Sequence, residues 1–181
     1  YSNLGYDVLG AIIEQVSGQT YADYIEEHVL IPAGMTQSGL NMEGLVLENM
    51  ATAYNGNISE GDEAKVLHPS FGYSSGGLHS TAMDLYKYDR ALHSNLLISQ
   101  ESYDLMTQES SKVGTKSYGY GWYVNTGVED TVSHPGNLIG WHSMLLRHQE
   151  DKVTVILLTN HDENDMFMAY NLARLVLAEV E

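Results

Sequence analysis

The chain has 181 residues, with 8 basic and 24 acidic side chains and a formal net charge of -16. That length fits one domain or one and a fraction, and a folded chain of this size buries roughly 70% of its extended surface. The charge excludes nucleic acid as a partner, because phosphate binding needs clustered Lys and Arg, and it disfavours docking on an anionic membrane. With no cysteine, a disulfide framework, a thiol nucleophile and a thiolate metal site are all excluded. A hydrophobic share of 43% fits a globular chain and not a disordered one.

The chain opens on Tyr1-Ser2-Asn3 with neither methionine nor signal-like lead-in, and this start predicts a piece of a longer protein. Residues 4–17 read as a helix: Leu9, Ile12, Ile13 and Val16 form an apolar stripe at helical spacing, and Gly18 suits its end. Thr20 and Asp23 have capping-box spacing ahead of a second helix running to about Val29, which Pro32 and Gly34 break. Residues 35–70 read mostly as loop and 70–80 as a turn-rich connector. Thr81 and Asp84 then open a helix carrying Leu85, Tyr88 and Leu92, and Ser99 caps a shorter one through Met106.

After Gly114 the pattern changes. Tyr118 to Val124 reads as a strand and Thr131 to His134 as a short one. Gly140–His148 and Lys152–Thr159 are two strands joined at Gln149-Glu150-Asp151. Asp162 is placed to cap a final helix whose stripe includes Phe167, Tyr170 and Leu175. Helices, then antiparallel strands, then one helix make an α+β fold.

Several short motifs follow one another in order. Tyr1-Ser2-Asn3 is followed by Leu4-Gly5-Tyr6, Leu9-Gly10 and Ser17-Gly18. Leu30-Ile31-Pro32-Ala33-Gly34-Met35 comes next, then Gly76-Gly77-Leu78 with Ser80-Thr81-Ala82-Met83-Asp84-Leu85. Tyr118-Gly119-Tyr120-Gly121-Trp122 and His134-Pro135-Gly136-Asn137 complete the series. In this order and spacing the chain resembles the C-terminal portion of class C β-lactamases and the related DD-peptidases and esterases. Tyr1-Ser2-Asn3 matches the family's Tyr-x-Asn motif, and His134-Pro135-Gly136 its Lys-Thr-Gly or His-x-Gly motif.

The resemblance implies an antiparallel sheet flanked by helices, with a helical lobe. Residues 1–112 would belong to the lobe, and residues 113–181 would supply the last three strands and the terminal helix. It implies acyl transfer through an acyl-enzyme on a β-lactam, a D-alanyl peptide or an ester, without metal or cofactor. Such chemistry needs a nucleophile, a base and oxyanion donors. Tyr1 would be the base in acylation and the acid toward the leaving group. Asn3 would orient the substrate amide or a lysine. His134 would hydrogen-bond near the Tyr1 hydroxyl, Gly136 would keep the strand open to substrate, and the Asn137 N–H would be an oxyanion donor. The His-Pro-Gly form leans toward DD-peptidase or esterase members.

The family's nucleophile lies in Ser-x-x-Lys, and none occurs here. Lys65, Lys87, Lys112, Lys116 and Lys152 are preceded at the third position by Asp62, Asp84, Glu109, Val113 and Gln149. The expectation is therefore that the nucleophile lies in a missing N-terminal part and that this chain alone is inactive. A catalytically silent sensor or scaffold of the same fold is the alternative. A remoter one is an α/β-hydrolase elbow at Gly72-Tyr73-Ser74-Ser75-Gly76, which lacks a good buried strand before it and a helix immediately after. The eight histidines show no metal-ligand spacing. Trp122 and Trp141 read as core or cleft-lining residues. If the family's first strand is absent, Lys152–Thr159 is an apolar sheet edge, and strand exchange or homo-oligomerisation is expected. The resemblance also implies an extracytoplasmic location.

Overall fold

The computed structural model describes the chain except residues 44, 46, 57–60, 66, 67, 69, 70, 162–165, 180 and 181. Two compact units interleave along the sequence. The first comprises Tyr1–Met50 and Val66–Ile98, the second Ala51–Lys65 and Ser99–Glu181.

In the first unit, helix α1 (Asn3–Ser17) starts where Ser2 leaves extended backbone and its Oγ accepts from the Gly5 N–H at 3.3 Å. It ends at Gly18 in the left-handed region, φ 73°. Its apolar stripe is largely exposed, with Leu9 at 52% and Val16 at 82%. The buried contact of α1 is instead made through Gly10, which packs on Tyr73 and Ser74 of the four-residue helix α4 (Tyr73–Gly76).

Helix α2 (Tyr21–Ile25), capped by Thr20 as its spacing predicts, passes into a π-turn at Glu26–Leu30 and then into α3 (Ile31–Ala33). Pro32 therefore lies inside continuous helical backbone, just after the π-turn, and does not end the helix. The stop is Gly34, φ 71°. Strands β1 (Gly39–Leu40) and β2 (Leu78–His79) form a small antiparallel pair, and α5 (Ala82–His93) begins at the Thr81 cap.

Asp84 on α5 is fully buried. It accepts from the Gln37 N–H at 2.7 Å, the Ser38 hydroxyl at 2.9 Å and the Lys87 ammonium at 2.7 Å. Lys87 donates in turn to the Gly34 carbonyl at 2.8 Å. Burial raises the carboxyl's proton affinity, but Lys87, the Gln37 amide and Ser38 outweigh it, and the net value lies below the ordinary 3.8. Asp84 thus ties the turn at Gly34 to α5.

The second unit is a meander of six antiparallel strands in chain order: β3 (Ser111–Val113), β4 (Lys116–Tyr118), β5 (Tyr123–Val124), β6 (Thr131–Leu138), β7 (Trp141–His148) and β8 (Thr154–Thr159). These are more than the last three strands implied by the resemblance. The single strand expected at 118–124 is two, because Gly119–Trp122 form a tight turn closed by the Gly119 N–H to the Trp122 carbonyl at 2.8 Å. Helix α6 (Gln100–Thr107) precedes the sheet, with Ser99 as its cap.

Helix α7 (Met166–Ala178) lies on one sheet face. It packs through Ala169 and Ala173 on Met144 and Leu146, all at most 1% exposed. Phe167 and Leu175 of the expected stripe are 75% and 66% exposed. Small residues let the helix approach the sheet closely, so the buried face lies elsewhere than the bulkiest side chains suggest. The cap expected at Asp162 lies outside the described residues.

The strand expected at 131–134 runs on to Leu138 and turns back through the two residues Ile139 and Gly140, the latter at φ 72°. Gly140 abuts Ala53 and Ala64, where an added Cβ would lie within 3.0 Å of both methyls. Thr52 and Tyr54 are strapped to the chain beyond β8 by the Tyr54 N–H to the Asn160 carbonyl at 2.9 Å and the Asn160 amide to the Thr52 carbonyl at 2.7 Å.

Candidate active site

The expected residues fall into two groups, one in each unit. Tyr1 and Asn3 flank the cap of α1 in the first. Tyr1 is 58% exposed and its ring lies against Tyr6, centroids 5.7 Å apart and tilted 36°. Asn3 is exposed at the first helical position. The start of a helix thus holds the phenol and the amide at fixed spacing on either side of Ser2.

His134, Gly136 and Asn137 all lie on β6, which pairs with β5 only at Val132 and Ser133 and with β7 along its whole length. Beyond Ser133 it is flanked by one strand among the described elements, which is where a strand tolerates Pro135. Alternation along the strand sends His134 and Gly136 to one face and Asn137 to the other.

His134 is half-buried, and both ring nitrogens are engaged. Nδ1 lies 2.8 Å from the Pro135 carbonyl and Nε2 lies 3.0 Å from the Tyr118 hydroxyl. The rings of Tyr118 and Tyr123 lie 6.0 and 5.6 Å from the imidazole, and the Lys116 ammonium stands over Tyr123 at 5.4 Å. Burial pulls the imidazole below its ordinary 6.5, against the partial opposition of the Pro135 carbonyl. The ring is therefore neutral around pH 7.

Gly136 is opposite Ser143 in register, and a Cβ at 136 would collide with the Ser143 hydroxyl. Glycine here lets Ser143 cross the strand on the face that carries His134. On the other face the Asn137 amide oxygen accepts from Nδ1 of His142, its cross-strand neighbour. That bond anchors the side chain, while pairing with β7 holds the Asn137 backbone, whose N–H was expected to meet an oxyanion. Tyr118, Ser143 and His142 escape sequence reasoning. Tyr118 stands in a quoted motif with no role attached, and the other two are found only from the register of β6 against β7.

The hydrolase elbow at Ser74 is not formed. Ser74 lies within the four-residue α4, its hydroxyl donates to the Tyr6 carbonyl at 2.9 Å, and Ser75 N–H is held by Asp7 at 3.1 Å. Among the described residues no cluster of three His, Asp or Glu could hold a metal ion, and no helix is long and apolar enough to cross a membrane.

Residues 1–179 match the beta-lactamase family. The chain belongs to that family. It is 30% identical over 180 residues to a penicillin-binding protein of Bacillus subtilis (strain 168), covering 91% of this chain and 40% of that protein. The octameric penicillin-binding protein homologue from Pyrococcus abyssi superposes with a TM-score of 0.85 at 29% identity, over 98% of this chain and 42% of that one. D-amino acid amidase from Ochrobactrum anthropi SV3 shares the fold, with a TM-score of 0.84 at 22% identity over 99% of this chain and 56% of that one. The chain thus spans about two fifths of the length of the curated relative it matches.

Proposed function

We propose that the chain is the C-terminal part of a serine hydrolase that transfers acyl groups from an amide, D-alanyl peptide, β-lactam or ester through an acyl-enzyme. Tyr1 takes the proton of the nucleophile and returns it to the leaving group. Asn3 orients the substrate amide or a lysine. The Asn137 N–H donates to the oxyanion, His134 contributes hydrogen bonding near the Tyr1 hydroxyl, and Gly136 keeps the strand open to substrate. The nucleophile comes from a Ser-x-x-Lys outside these 181 residues, and the whole protein works outside the cytoplasm on a small-molecule or peptidoglycan-derived acyl compound.

The observation that carries this reading is family membership over residues 1–179 together with a His-x-Gly on a strand that, among the described strands, pairs with β7 beyond Ser133. Such a strand can accept an extended substrate along its backbone, as added strands do on sheet edges. A tyrosine with an ordinary pKa near 10 acts as a base only beside cationic groups. In this reading the outside lysine supplies that charge.

A catalytically silent ligand-binding domain of the same fold is the second reading, favoured by the lack of Ser-x-x-Lys in the sequence. Incubation with a fluorescent penicillin, followed by mass spectrometry, separates the two. A stoichiometric adduct on the longer protein and none on this chain is the expected result. An adduct on the 181-residue chain itself would refute an outside nucleophile. No adduct on either, with no turnover of esters or D-amino-acid amides, would leave the silent domain.

A further inference from the structure

The residue that holds His134 comes from two strands away. Tyr118 is the last residue of β4 and is 5% exposed. Its ring meets Tyr123 edge-on at 4.9 Å, so the hydroxyl is aimed by packing. The Pro135 carbonyl can only accept, so Nδ1 of His134 carries the proton in that bond. In a neutral imidazole Nε2 is then a lone pair, and the partner 3.0 Å away must donate to it. Tyrosine can do so.

We propose that Tyr118 is a positioning residue for this site. Its hydroxyl donates to Nε2 of His134 and, with the Pro135 carbonyl on Nδ1, fixes the histidine as a neutral ring in one tautomer and one orientation beside Gly136. The contact stands on geometry, and its direction follows for the neutral ring. Its consequence for catalysis rests on the acyl-transfer reading above. A ring so held presents a fixed dipole and no positive charge at this point of β6. Fixed dipoles stabilise developing charge without reorganising during the reaction. Titratable groups packed against the ring include Tyr118 on β4 and Tyr123 on β5, with Lys116 over Tyr123. On β7 its cross-strand neighbour is the apolar Leu145.

The test is nitrogen NMR of the intact protein with labelled histidine, His134 being assigned by loss of its signals in His134→Gln. At pH 7 the expected pattern is a protonated Nδ1 and an unprotonated Nε2. In Tyr118→Phe, which keeps the ring and hence the packing, the Nε2 resonance should move downfield toward that of a lone pair with no donor. The Tm should fall by no more than about 4 °C, the effect of one hydrogen bond in a chain of this size.

In the same variant kcat should drop about tenfold, the equivalent of one modest hydrogen bond, with KM changed less than about twofold. A proton on Nε2, an imidazolium at pH 7, or an Nε2 resonance unmoved in Tyr118→Phe would overturn the bond. A shifted resonance with unchanged kcat would overturn the positioning role. An intact protein that turns over no acyl substrate would defeat the acyl-transfer reading and, with it, that role. The resonance would still decide the bond by itself.

Discussion

Asp84 brings a carboxylate to a place with no water contact and meets three donors there. Removing one member of a buried, hydrogen-bonded charge cluster leaves the others unsatisfied, at a cost of roughly 3–5 kcal/mol. Lys87 is partly exposed and can recover some hydration, so Asp84→Ala should lower the unfolding free energy by about 3 kcal/mol. Denaturant titration measures this, and a loss below about 1 kcal/mol would mean that the cluster is ornamental. His134 makes a different prediction. Its value in the folded chain is below 6.5, so the unfolded chain binds the extra proton first as pH falls. Stability due to this ring is complete above pH 6.5 and is lost as pH drops through the folded value. His79, also lowered by burial, contributes to the same slope. His134→Gln should therefore flatten, without abolishing, the decline of Tm between pH 6.5 and 5. A decline as steep as in the parent would show that the ring's burial does not carry it.

Helices α1 and α4 meet at Gly10, where a Cβ would come within 2.5 Å of the Ser74 Cβ and 3.0 Å of the Tyr73 ring. Two effects oppose one another in Gly10→Ala. Alanine gains about 1 kcal/mol of helix propensity, while a methyl forced into a packed contact costs about 1–3 kcal/mol. The nearest obstacles are atoms close to the backbone of α4, which cannot swing away, so the clash should win and urea unfolding should show a net loss of about 1 kcal/mol. A gain in stability would mean that the helices can part. The same small residues mark the limit of sequence reading. Thr20, Thr81 and Ser99 each accept from the N–H three residues on, as their spacing predicts, because a cap is a local matter. The buried faces of α1 and α7 were not legible. They are made by Gly10, Ala169 and Ala173, residues without the bulk that periodicity detects. At the site, His134 and Gly136 could be picked out by motif, whereas Tyr118, Ser143 and His142 depend on strand register, which short strands and Pro135 conceal.

On the scale of the molecule, β8 is hydrogen-bonded to β7 alone among the described strands, and Leu158 upon it is 42% exposed. Exposed apolar residues also line α1 and α7, with Leu4 at 70% and Phe167 at 75%. An open edge and exposed apolar patches each invite association with another chain. The 181-residue chain produced alone should therefore associate, and sedimentation velocity should show species larger than a monomer at tens of micromolar. Leu158→Lys, a charge on the edge strand, should shift the distribution toward monomer. A clean monomer in the unsubstituted chain would count against the edge as a liability.

The strap at Thr52 and Tyr54 also bears on the order of assembly. Thr52 and Asn160 are 108 residues apart in sequence. The strands from β3 to β8 each pair with the next in line and can form by successive short closures. The segment meets Gly140 in the β6–β7 turn, but its hydrogen bonds to Asn160 need the end of β8, and closing so long a loop carries an entropic cost. The hydrogen bonds of Thr52 and Tyr54 to Asn160 are thus expected to form late in refolding. The strap's amides are expected to be among the first in the second unit to exchange with solvent.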